Sequence, residues 1–211
     1  MVDSRKSFKR ESSDQRQNDL IEATLSLIAS SGPEGATVRN IAMEAGVTPG
    51  LIRHYFNTKE DLIGAAYERH MTTMRYAAYS PLEQELPGAV ARLATLVRAS
   101  VSPPVTDPRA MALWAGFIQS VQRDAAMRVI HERTYRQFRD QLQVLIGDAF
   151  LELGRPKSKA TLRKYAIACN AVLDGLWLEG SALPDSFKAG ELPAIGLSSI
   201  GAILGIKLEE T

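Results

Sequence analysis

Thr48, Pro49, Gly50, Arg53, His54 and Tyr55 form a cluster poorly suited to plain solvent and well suited to touching a polyanion. A helix facing water is usually built from Glu, Lys and Gln, which hydrate easily and favour helix. Hydroxyl, guanidinium, imidazole and phenol groups instead meet phosphate oxygens and base edges. Arg53 can pair bidentately with guanine, and Gly50 lets another backbone or a duplex come close. Nothing comparable points to catalysis. His54, His70 and His131 lie far apart, without metal-ligand spacing. There is no phosphate-cradling glycine loop and no G-x-S-x-G elbow. The expectation is therefore no catalytic residue, no metal, no cofactor and no enzyme.

Two short helices must position that cluster. In Thr37–Lys59, TVRNIAMEAGVTPGLIRHYFNTK, the residues Val38, Ile41, Ala42 and Ala45 repeat at the spacing of one helical stripe. Gly46 can take the left-handed conformation that ends a helix. Thr48 and Pro49 form a helix-opening pair. The second helix is expected to bury Val47, Leu51, Ile52 and Phe56, leaving Pro49, Gly50, Arg53 and His54 outward. The tight Gly46-Val47-Thr48 connection suits a helix-turn-helix over about residues 37–56. Ordinary core packing, or a helical protein-interaction module without DNA binding, would use the same apolar pattern. A steep salt dependence of duplex binding separates the readings.

The rest of the chain reads as all-α, about nine helices in total. Ser12 with Gln15 resembles a capping box for the first helix, whose stripe is Ile21, Leu25 and Ile28 and whose stop is Ser30-Ser31-Gly32-Pro33. Thr58 with Asp61 opens a fourth helix running to about Tyr79. Further helices are expected at roughly Pro87–Val101, Pro108–Gln122, Asp124–Leu153, Ser158–Leu183 and Leu192–Ile206. No stretch alternates with period two for long enough to be a sheet. Cys169 is a single cysteine, which excludes an internal disulfide framework and fits a reducing cytoplasm. Its setting among Ile167, Ala168 and Ala171 suggests a small buried residue.

Aromatic residues recur on these later helices: Trp114 and Phe117, Tyr135 and Phe138, Phe150, Tyr165 and Trp177. Core packing accounts for any one of them; together they also suit a ligand cavity between helices. Trp114, Phe117, Tyr135, Asp174 and Trp177 are the candidate ligand residues. In Leu173–Leu183, LDGLWLEGSAL, Gly175 sits inside an apolar helix, where it costs about 1 kcal/mol against alanine. The final helix has a small-residue face of Ala194, Ser198, Gly201 and Gly205. Exposed Leu197, Ile200 and Leu204 would be a costly apolar patch. Pairing the last two helices with those of a second copy removes it, and an intramolecular core is the alternative.

The run T-V-R-N-I-A-M-E-A-G-V-T-P-G-L-I-R-H-Y-F-N-T-K-E-D-L closely resembles the DNA-binding domain of TetR-family transcriptional repressors. The resemblance implies an N-terminal three-helix DNA-binding domain over 1–58 and a helical effector-binding and dimerisation domain over 59–211. It places Thr37 and Arg39 by phosphates, Thr48, Pro49, Gly50, Arg53 and His54 in the major groove, and Tyr55 and Lys59 on phosphates. The D-G-L-W-L-x-G run, with the earlier H-Y-F, resembles the choline-responsive BetI-type branch. That implies an aromatic box for choline or another quaternary amine; a different small amphipathic effector is the alternative. The implied protein is a homodimeric repressor, released from a palindromic double-stranded operator by a small molecule.

Bulk properties agree without deciding. The chain has 211 residues, is 45% hydrophobic and 23% charged, and carries a formal net charge of +1, so phosphate attraction must come from local placement and helix N-termini. Residues 1–62 hold eight Lys/Arg against nine Asp/Glu. The basic cluster Arg5, Lys6, Lys9 and Arg10 suits a minor-groove arm or a frayed tail. Nothing resembles a signal peptide, and Leu192–Ile206 is too short and interrupted to span a bilayer, so a cytoplasmic protein without a membrane partner is expected.

Overall fold

The structure is a computed structural model that describes residues 13–208. Among those residues it contains no strand. The helices are α1 (Ser13–Gly35), α2 (Val38–Glu44), α3 (Pro49–Tyr55), α4 (Lys59–Tyr79), α5 (Ala89–Ser100), α6 (Pro108–Arg123), α7 (Ala125–Glu152), α8 (Lys159–Ala182) and α9 (Glu191–Leu204). The basic cluster and Ser12 of the expected capping box lie outside the described residues. The chain divides into two compact units between Ala66 and Tyr67, within α4, where the sequence had placed a boundary before that helix.

In the N-terminal unit, α1 buries Leu20, Ile21, Leu25 and Ile28. Its regular path breaks at Gly32 (φ 70°, ψ 176°), ahead of Pro33. The Thr37 side chain caps α2 by accepting the Asn40 backbone N–H at 3.1 Å. Gly46 adopts φ 65°, which an L side chain would strain against, and Val47 N–H closes the turn on the Ala42 carbonyl at 2.8 Å. Thr48 has the extended backbone of an N-cap, with Pro49 as the first helical residue, but its side chain makes no capping bond. Ile52 and Phe56 are buried as expected, while Val47 and Leu51 are half-buried. Thr58 and Asp61 open α4 reciprocally, each backbone N–H donating to the other's side chain at 3.0 Å.

The C-terminal unit is a helical bundle around Leu93, Leu96, Ile146, Phe150, Cys169 and Ile200. Helices α6, α7 and α8 begin at side-chain caps: Asp107 and Asp124 each accept a backbone N–H at 2.7 Å, and Ser158 accepts one at 3.2 Å. Burial pushes the Cys169 thiol up to about 12, so it remains a protonated core residue. The structure corrects the reading of α9. Leu197, Ile200 and Leu204 are 7%, 0% and 2% exposed and belong to this unit's own core. Gly201 faces inward too, since a Cβ there would stand 2.8 Å from the Ile206 carbonyl oxygen. The outward stripe of α9 is Ala194, Ile195, Ser198 and Ala202, followed by Gly205. No helix among the described residues is long and apolar enough to cross a membrane.

Candidate nucleic-acid interface and ligand cavity

On the N-terminal unit, the α3 scaffold turns Ile52 and Phe56 inward, which leaves Thr48, Pro49, Gly50, Arg53 and His54 exposed. Tyr55 is half-buried, its ring edge-on to His54 at 5.0 Å. Thr37 and Arg39, at the start of α2, are exposed, and Lys59, the first residue of α4, is half-buried. A Cβ at Gly50 would meet nothing within 4 Å, so the protein leaves that surface open. Arg53 forms no ion pair among the described residues. This face offers hydroxyl, guanidinium and imidazole groups on a rigid short helix, as recognition of a duplex requires.

The C-terminal unit forms a cavity of about 440 Å³, partly open to solvent, between α4, α6, α7 and α8. It brings together Trp114, Tyr135, Asp174 and Trp177. The two indoles pack edge to face at 5.5 Å, and Trp177 Nε1 donates to the Val105 carbonyl at 2.7 Å. Phe117 is not in the lining, which corrects the expected ligand set. It is 1% exposed and packs on Tyr67 at 4.9 Å and His70 at 6.2 Å. Three residues turn a helix about 60° short of a full circle, so Trp114 can look into the cavity while Phe117 looks past it.

Tyr135 and Asn170 hold the Asp174 carboxylate. The Tyr135 hydroxyl donates to its Oδ2. Asn170 Nδ2 donates to the Tyr135 oxygen at 2.7 Å and to the same Asp174 oxygen at 2.8 Å. Burial raises the Asp174 carboxyl above its ordinary value, although the Tyr135 and Asn170 hydrogen bonds and the nearby His131 pull the other way. Burial, then the bond to Asp174, pushes the Tyr135 hydroxyl up to about 12. His131 stacks on Tyr135 at 5.4 Å, and its Nδ1 is 2.6 Å from the buried Tyr67 hydroxyl. His70 is 6% exposed, and burial with the Arg109 charge lowers it to about 4, so it is neutral. The result is one carboxylate, still reached by solvent, beside aromatic rings that line the same cavity, a setting for a positively charged guest.

Asn170, His131, Met71, Met74 and Arg75 also line the cavity and were not singled out from the sequence. Two of them carried a signal. Asn170 lies four residues before Asp174, and His131 four before Tyr135, so each pair shares a helix face.

Comparison with known proteins follows both units. Residues 20–66 match the model for bacterial regulatory proteins of the tetR family, and residues 89–205 match that for the BetI-type transcriptional repressor C-terminal domain. The HTH-type transcriptional regulator BetI 2 of Chromohalobacter salexigens is 31% identical over 183 residues, covering 83% of this chain and 82% of that protein. The BetI regulator of Paraburkholderia phymatum is 30% identical over 174 residues, 82% and 84% of the two chains. Among solved structures, a transcriptional regulator from Pseudomonas aeruginosa PAO1 superposes with a TM-score of 0.81 at 31% identity, over 94% and 93% of the chains. A regulator from Saccharomonospora viridis, solved in complex with choline, shares the fold with a TM-score of 0.73 at 17% identity, over 89% and 96%.

Proposed function

The chain belongs to the TetR family of bacterial regulatory proteins, with a BetI-type C-terminal domain, and from that premise we propose how its two sites divide the work. It is a ligand-responsive DNA-binding transcriptional regulator, not an enzyme. The outward face of α3 enters the major groove. There Arg53 pairs with guanine, Thr48, Pro49 and His54 contact neighbouring base edges, and Gly50 admits the backbone closely. Thr37, Arg39, Tyr55 and Lys59 hold phosphates and set the register.

Two copies act together as a homodimeric repressor, each reading half of a palindromic operator, with half-sites about 34 Å apart. The copies pair through α8 and α9, whose outward sides carry Ile167, Leu178 and Ile195, with exposed Leu183 just past the end of α8, beside the small residues of the α9 stripe. The effector is an organic cation, choline or another quaternary amine, seated at Asp174 and against the Trp114 and Trp177 rings. Each aromatic face contributes about 0.5–2 kcal/mol to such a guest. Its binding favours a state of the dimer with the wrong spacing and releases the operator.

The observation that carries this reading is the Asp174 carboxylate, set among aromatic rings with both of its internal donors on a single oxygen. Selecting bound sequences from a random duplex pool tests the DNA half. A recovered palindrome with half-sites one helical turn apart is the expected result; recovery of unrelated sequences contradicts it.

A further inference from the structure

A quaternary ammonium head alone would leave much of the C-terminal cavity unfilled. Its volume of about 440 Å³ lies in the range that takes a drug-sized molecule. Its available polar atoms are gathered at one place, where Asn170 and Asp174 of α8 bond to Tyr135 of α7 and His131 stacks on Tyr135. Other polar groups in the lining are already committed. Ser100 donates to the Leu96 carbonyl at 2.8 Å, Thr134 to the Ile130 carbonyl at 2.9 Å, and Trp177 to Val105. His70 is buried and uncharged. The remaining surface is hydrocarbon and thioether: Met71, Met74, Ala78, Ile118, Phe138 and Leu173. Among the described residues no ion pair joins Arg75, the one cation of the lining, to Asp174.

From this arrangement we infer that the ligand is an amphipathic organic cation, with its ammonium head at Asp174 and a hydrocarbon body several carbons long against Met71, Met74 and Phe138. This rests on the cation reading of the same site given above and adds the body. The Asp174 carboxylate stands at the solvent-reached rim of the cavity, is held by two neutral donors and has no cation within ion-pair distance among the described residues, so it offers a positive head a partner. The apolar remainder rewards buried methylenes. Met71 and Met74, unbranched and polarizable, can adapt to a flexible chain.

The chain's two tryptophans both line this cavity, so intrinsic fluorescence of the full-length protein reports its occupancy. The probes are tetramethylammonium, butyltrimethylammonium and octyltrimethylammonium below micelle-forming concentrations, with 1-octanol and octanoate as neutral and anionic partners. Affinity should climb about fourfold per added methylene until the space is full. Octyltrimethylammonium should bind at least tenfold more tightly than octanol or octanoate. Asp174→Asn should lower cation affinity at least tenfold while leaving octanol within twofold. Met74→Phe, which shortens the apolar end and keeps the head site, should lower octyltrimethylammonium affinity without affecting tetramethylammonium. Cation binding that depends on Asp174 but not on chain length would overturn the inference and leave the cation reading standing. Octanol or octanoate binding as tightly as the octyl cation would overturn it too, octanoate pointing to Arg75 as the head site. No binding of any cation by protein that still binds duplex DNA would remove both.

Discussion

Arg53, Asp174 and His70 are three ionisable side chains in different settings, and each makes a different prediction. Arg53 is exposed and unpaired among the described residues, so its worth is realised only against a partner. Arg53→Ala should weaken specific operator binding by about 1–3 kcal/mol and relax one base preference, whereas Lys59→Ala should weaken all duplexes evenly. Fluorescence anisotropy on matched and mismatched duplexes separates the two. His70 falls from its ordinary 6.5 to about 4 through burial, so on acidification the unfolded chain takes up a proton before the folded one. Stability should therefore drop between pH 7 and pH 4, on the order of 3 kcal/mol from this group. In thermal melts across that range, wild type should lose stability on acidification that His70→Phe retains. Asp174 has the opposite sign. Its raised carboxyl makes the folded state the better proton binder, so its effect on stability is favourable in acid and lost as pH rises through the raised value. Cation affinity should run the other way, weakening as pH falls through that value. Protonation of nearby His131 would add to that loss, and Asp174→Asn should flatten the Asp174 part of the pH profile.

At the scale of elements, the punctuation was legible because it is local. Pro108 after Asp107, Ser158 before α8, and the Thr58–Asp61 exchange each mark a helix start by chemistry confined to a few residues. The stop at Gly32-Pro33 and the left-handed Gly46 were readable for the same reason. Which way a helix faces was harder. Helix α9 has no charged residue from Leu192 to Leu204, so no polar stripe marks its solvent side, and Leu197, Ile200 and Leu204 were assigned outward when they face the core. Ile200, fully buried, should cost about 2–5 kcal/mol as Ile200→Ala, measured by denaturant unfolding. A value under 1 kcal/mol would mean that α9 does not pack as described. The cavity was half legible for a related reason. Trp114, Trp177 and Asp174 were conspicuous as types, but only the packing of α7 against α8 brings Asn170 onto the carboxylate and turns Phe117 away.

At the scale of the whole molecule, α4 belongs to both units, since the division between them falls within it. We propose that it carries the response from cavity to α3. Coupling of this kind is reciprocal: a cation that loosens operator binding must itself bind less tightly to the operator complex. In the proposed homodimer, pairing of the two copies would set the spacing of the half-sites. Ala202→Glu, on the exposed stripe of α9, should shift sedimentation toward monomer and sharply reduce operator affinity while leaving the helical content unchanged. A variant that remained dimeric would move the interface elsewhere.

The most direct test of the account titrates the selected operator with wild type and Asp174→Asn, with and without a saturating organic cation such as octyltrimethylammonium. Wild type should lose at least tenfold in operator affinity when the cation is present, whereas Asp174→Asn should bind the operator normally and ignore it. Equal operator affinity of wild type with and without bound cation, or an undiminished response in Asp174→Asn, would contradict the account.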